Sequence, residues 1–266
     1  MSNTFNFKRF WKYLRYDLVS AVQDSGTMLV SIAAMPVWFF VIQQLLSLVF
    51  SGEFRHISTP VLIMSYIISL TVAIIFFPVQ HYGKLTDKKA GSDWILIPAS
   101  RFEKFLSLLV VCCVAVPIVW LAVIAACDGL LSVIFGTYDC FVLPKIFQTL
   151  GGATASIHTE NVQFAFNGPL AVYLSWSQNI LAFTLGAIFF RKNKIVYTFL
   201  TLMAIGILCT IISAAIFGND SIIYKPETIN EDSLLRLLNF GIYALYVVIF
   251  IILDLGLYFR IKTIKQ

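Results

Sequence analysis

Charge is what this chain has least of. Asp, Glu, Lys and Arg make up 12% of its 266 residues, about half the share usual in soluble domains. Five stretches of at least 21 residues contain none at all. A soluble globular domain is thereby excluded. Chemical motifs are scarce too. There is no GxxxxGK[ST] loop to cradle nucleotide phosphates, so ATP-driven work needs a second polypeptide. His56, His81 and His158 stand alone, without HExxH or other metal-ligand spacing, and GxSxG is absent. No pair of carboxylates lies within the apolar stretches to suggest a protease or proton relay. The expectation is a chain with no enzymatic site, no metal and no cofactor. Cysteine is sparse: Cys112, Cys113 and Cys209 fall inside apolar stretches, where a thiol is a small apolar side chain. Cys127 and Cys140 fall where oxidation is possible, and spacing does not decide whether they pair. Neither internal repeats nor low-complexity tracts occur.

What is present is apolar: 59% hydrophobic residues and a mean hydropathy of +0.86. A bilayer crossing takes about 20 helical residues. Six blocks qualify: 27–50, 60–80, 105–127, 169–190, 195–217 and 235–259. Blocks of that length suit helices rather than the alternating ten-residue strands of a barrel. The expected fold is an all-α polytopic bundle of six transmembrane helices preceded by an amphipathic interface helix. The first block is too long for a signal-peptide core and lacks a cleavage pattern after it. Lys and Arg fix the orientation: fifteen of nineteen lie in the N-terminal segment, the second-to-third connector, RKNK (191–194) and the tail. Both termini are therefore expected in the cytoplasm, with the chain multi-pass in the inner (plasma) membrane. The net charge of +5 then reports topology and gives no reason to expect nucleic acid.

In residues 1–24, Phe7, Phe10, Trp11, Leu14, Leu18 and Val22 follow helical spacing, while Lys8, Lys12 and Arg15 line another face. That pattern predicts a helix lying in the interface, its aromatics in the acyl boundary and its cations toward anionic lipid head groups. The connector 128–168 is long and semi-apolar, but Asp139, Pro144 and Lys145 argue against a seventh span; a helix or two at the outer interface is expected. Residues 218–233 form an acidic outer loop. Pro36, Pro78 and Pro117 interrupt the first three spans. Ala182 and Gly186 form a small-xxx-small pair that lets helices approach closely. Asp254, the one acid within a span, lies six positions before Arg260, about 9 Å along a helix, which places it near the inner interface.

The connector 81–104 is the most structured feature in prospect. Tyr82–Ala90 suits a short helix, with Gly91 as its left-handed stop. Trp94–Ile97 is apolar but too short to span, Pro98 forces Ile97 toward extended backbone, and Ser100-Arg101-Phe102-Glu103 is a capping-box pattern before the third span. Some 24 residues are used where a helix–helix turn needs roughly 2–8, which suggests a contact surface. The run WILIPASRFEKF, Trp94–Phe105, resembles the connector of ABC type-2 exporter permeases, especially the small six-span members of the Bacteroidetes group. The order of basic N-terminal helix, six spans, inward termini and elbow between spans two and three is similar over nearly the whole chain. The resemblance implies a permease subunit of an exporter, working as a homodimer or heterodimer with a separate ATP-binding subunit. It implies a coupling element over Lys84–Trp94, with Lys84, Lys88 and Lys89 at the docking face and Trp94, Pro98 and Glu103 supporting its shape. One departure is that many such permeases carry re-entrant outer helices between spans five and six, whereas the long outer connector here follows span three. The alternative is a non-transporting accessory or sensory subunit that docks a cytoplasmic partner through the same elbow.

Overall fold

The computed structural model describes residues 5–54, 59–86, 91, 94, 96–135, 144, 154–156, 163–165, 168–217 and 231–263. Its helices are α1 (Phe7–Ala21), α2 (Thr27–Ala33), α3 (Met35–Ser51), α4 (Thr59–His81), α5 (Arg101–Val110), α6 (Val116–Ile134), α7 (Gly168–Phe189), α8 (Lys194–Phe217) and α9 (Glu231–Thr263). Six helical stretches are long and apolar enough to cross a membrane, and they match the six blocks of the sequence. The chain is an all-α polytopic membrane bundle. Beside the helices stands one short antiparallel ladder, Thr154–Ser156 (β1) with Gln163–Ala165 (β2), pairing Ala155 with Phe164. The helix or two expected at the outer interface over 128–168 falls mostly outside the described residues; of that connector the structure describes the run of α6 on to Ile134, a helical Pro144 and this ladder. Asp128 thus sits inside a helix, buried, accepting from the Tyr66 hydroxyl at 3.3 Å.

The helical stretches that run into the first and third spans are built in the same three parts. A five-residue π-helical segment, Val22–Gly26, joins α1 to α2, and another, Val111–Ala115, joins α5 to α6. The N-terminal helix therefore does not break before the first span. Backbone angles stay right-handed helical through Gly26 (φ −63°, ψ −47°), because no proline or left-handed residue intervenes. Proline opens the next segment in both: Pro36 lies in the first turn of α3, after a bend at Ala34, and Pro117 in the first turn of α6. There its missing N–H costs little. Pro78 lies within α4.

The α7 helix is the axle of the bundle. Ile180, Leu181, Ala187 and Ile188 are fully covered, and α4, α8 and α9 all pack on it. The face toward α8 holds Gly186 against Thr198, so the small-xxx-small pattern marks a real close approach. Buried hydroxyls are satisfied within the bundle: Thr184 donates to Ile180 O at 2.6 Å, and Trp120 Nε1 donates to Ser69 Oγ at 3.3 Å, which in turn donates to Ile32 O at 2.7 Å. Satisfied in this way, polar side chains are tolerated in an apolar interior. Cys127 carries a free thiol, as do Cys112 and Cys113; Cys140 lies outside the described residues.

Candidate functional site

The site is the elbow at the basic end of the bundle, where α1, the end of α4 and the start of α5 meet. It begins with a local rule. Ser100 Oγ accepts from Glu103 N at 3.2 Å while Glu103 Oε2 accepts from Ser100 N at 2.8 Å, closing the capping box. The same carboxylate then reaches across ninety residues. Oε1 accepts from Asn6 N at 2.9 Å and from Arg9 Nη2 at 2.7 Å, and Oε2 accepts from Arg9 Nε at 2.7 Å. Asn6 is itself the N-cap of α1, its Oδ1 accepting from Lys8 N at 3.0 Å. One fully buried carboxylate therefore pins the N-termini of two helices, and their dipoles both favour the negative charge. Burial alone would raise its pKa; the Arg9 fork and the two backbone donors outweigh that and hold it at about 2. Phe5, edge-on to Phe102 at 5.9 Å, covers the joint.

Trp94 is the second pin. Its Nε1 donates to the Tyr13 hydroxyl at 3.0 Å, its carbonyl accepts from Lys104 Nζ at 2.7 Å, and the same ammonium stands 4.4 Å from the indole centroid. Trp94 thus packs on α1 and α5. Lys104 is buried, and that desolvation lowers its pKa to about 8. Pro98 and Leu96 are exposed beside it.

Behind these lies a buried polar cluster. Asp17 accepts from Ser107 Oγ at 2.6 Å and from the Tyr82 hydroxyl at 3.4 Å. His81 stands between two carboxylates, with Nε2 3.4 Å from Asp17 Oδ1 and Nδ1 3.4 Å from Asp24 Oδ2. Asp24 pairs with Lys84 Nζ at 2.7 Å and bonds to Ser20, while Gln80 Nε2 donates to the Asp24 carbonyl at 2.9 Å, inside the first π-helical segment. Burial pushes the Asp24 pKa up, but Lys84 and His81 hold it below the ordinary value. A cleft of about 320 Å³ opens here, lined by Tyr13, Tyr16, Asp17, Asp24, His81 and Lys84 among others. The turn before α8 closes the far side: Lys194 Nζ donates to Gly83 O, and Asn193 takes the positive φ of 45° that the turn requires.

The named docking residues are divided by this arrangement. Glu103 and Trp94 are brought together as supports. Lys84 is half exposed and tied to Asp24, so it is a strut as much as a surface charge. Lys88 and Lys89 lie outside the described residues. The helix expected over 82–90 begins as a tighter 3₁₀ turn, Tyr82–Thr86, and Gly91, expected as a left-handed stop, is helical and buried. On α1, Lys8, Trp11, Lys12, Arg15 and Phe7 are exposed, while Phe10, Tyr13, Leu14 and Asp17 are buried. The inner face of α1 therefore packs on α5. Sequence reasoning missed Asp17, Asp24 and Arg9. The only local signal was charge on the buried stripe of an amphipathic helix, which demands a partner.

Among the described residues no group of three metal-ligating side chains gathers. Comparison with protein-family models, with curated proteins and with solved structures gives no match to this chain.

Proposed function

We propose that the chain is the membrane-spanning permease subunit of an ABC-type exporter, working as a dimer with a separate ATPase, with both termini and the elbow in the cytoplasm of a cell bounded by its inner membrane. The observation that supports it most is the Glu103 joint. A coupling element must pass a push from a bound partner into the spans, and the described part of the connector is pinned at Trp94 and at Ser100. Trp94 is fixed to α1 and α5, Ser100 to Glu103, and Glu103 to α1, whose backbone continues into the first span. Load on the connector reaches spans one, two and three together. The exposed aromatics and cations of α1 suit the lipid interface.

The test is the double charge reversal Lys88→Glu with Lys89→Glu. Membrane insertion is expected to persist, because other inner cations remain, while association with an ATPase encoded beside the chain falls in co-purification and export-dependent resistance is lost. Full association and full activity would reduce the connector to a topology anchor. Retention of a cytoplasmic partner that hydrolyses no nucleotide would favour the accessory-subunit reading.

A further inference from the structure

A crevice of about 890 Å³ opens between α4, α6, α7 and α8, well away from the elbow. Aromatic rings wall it, Tyr66, Trp120, Trp176 and Phe199 among them, and among the described residues no Asp, Glu, Lys, Arg or His lines it. Its volume falls within the range of sites that enclose a drug-sized molecule. Asn179 does not fit an apolar groove filled by lipid tails, and neither does the wall's Trp176, whose buried Nε1 has no partner among the described residues. Asn179 lines the crevice and is exposed, eleven positions into the 22-residue α7, so it lies about 15 Å from either helix end. Its Nδ2 donates to Ser175 O at 2.7 Å and to Ser175 Oγ at 3.4 Å. Its Oδ1 has no partner among the described residues. An exposed amide with an unused acceptor at mid-span is costly in hydrocarbon.

We infer that the crevice binds an uncharged lipophile bearing a hydroxyl group, which donates to Asn179 Oδ1 while the apolar body lies against Trp120, Trp176 and Phe199. With no charge among the described lining residues, nothing there offsets the desolvation of an ion or a charged head group. A phospholipid cannot bring its head group to this depth and its acyl tails carry no donor. The site stands whether or not the chain works with an ATPase.

The test uses the full chain in phosphatidylcholine nanodiscs, photolabelled with 3-azioctanol or with a diazirine octane lacking the hydroxyl, with adducts mapped by mass spectrometry. Azioctanol is expected to label the crevice faces of α4 and α7 above the lipid-facing side of α8. Asn179→Leu should lower that labelling roughly three- to ten-fold, the loss expected for one hydrogen bond within a membrane. Hydrocarbon labelling should stay unchanged, which also reports that the variant is folded, and Asn179→Gln should retain most of the alcohol signal. Competition by 1-decanol alone would identify a small lipophile, and competition by dioleoylglycerol as well a neutral glycerolipid. The inference is overturned if neither competes, if crevice labelling does not exceed that of α8, or if Asn179→Leu affects both probes alike.

Discussion

Replacing Gly186 by alanine should loosen the bundle at the contact between α7 and α8, and the geometry sets how much. A Cβ at Gly186 would lie 2.0 Å from Thr198 Oγ1, 2.5 Å from Cγ2 and 2.7 Å from Cβ. Rotating Thr198 relieves the first two contacts but not the third, so the helices themselves must part. Overpacking of this kind costs about 1–3 kcal/mol, and a clash with a Cβ belongs at the upper end. For a chain of this size that corresponds to a fall of about 5–10 °C in the melting temperature of purified protein. The partner substitutions grade the effect. Thr198→Ala leaves Cβ in place and should rescue little. Thr198→Gly removes all three atoms, at about 0.5–1 kcal/mol for a glycine in a helix and the loss of the Thr198 Oγ1 bond to Lys194 O. Gly186→Ala combined with Thr198→Gly should therefore melt higher than the sum of the single effects, a coupling of about 0.5–3 kcal/mol. No measurable fall for Gly186→Ala, or strict additivity in the double variant, would refute the close approach.

Further outcomes follow from the elbow and the topology. The Glu103 carboxylate is stabilised in the folded protein, so its contribution is fully present above its ordinary pKa of 4.5 and disappears as pH falls toward about 2; the protection of α1 amides, taken relative to their intrinsic exchange rate at each pH, should be flat between neutral pH and about 5 and fall below. Glu103→Gln should abolish that pH dependence by freeing α1 at every pH. Ser100→Ala should cost about 0.5–2 kcal/mol of helix stability, read as faster exchange in the first turn of α5 alone. Reporter fusions at Glu160 and Glu231 should read outside and fusions at Lys89 and Gln266 inside; an inside reading at Glu160 would overturn the orientation.

The spans were legible because the bilayer imposes a local rule, an uncharged run of sufficient length, that any window of the sequence can test. The Ser100–Glu103 cap was legible for the same reason, since both partners lie within one turn. The second half of Glu103's role was not, because Asn6 and Arg9 lie more than ninety residues away and nothing in the spacing ties them to it. Asp17 and His81 were opaque in the same way: each reads locally as a polar residue near a span end, and only the fold sets them face to face. The π-helical segments leave no trace in composition, for VQDSG and VCCVA share no residue pattern beyond small and branched side chains.

Those segments have a consequence for phase. In the third span, the Val116 N–H reaches back to Val111 O, and the widened turn leaves the Cys113 carbonyl to accept from the Tyr173 hydroxyl of α7 at 3.0 Å. Each extra residue in such a turn rotates everything before it by about 100° relative to everything after. Glu103 and Ser107 meet α1 on one side of that offset, while Trp120 and Ile124 meet the bundle core on the other. Deleting one residue between Val111 and Ala115 would mend the helix as a helix and turn the elbow's carboxylate away from Arg9. The irregular turn is thus the vernier that lets a single helix keep two unrelated appointments.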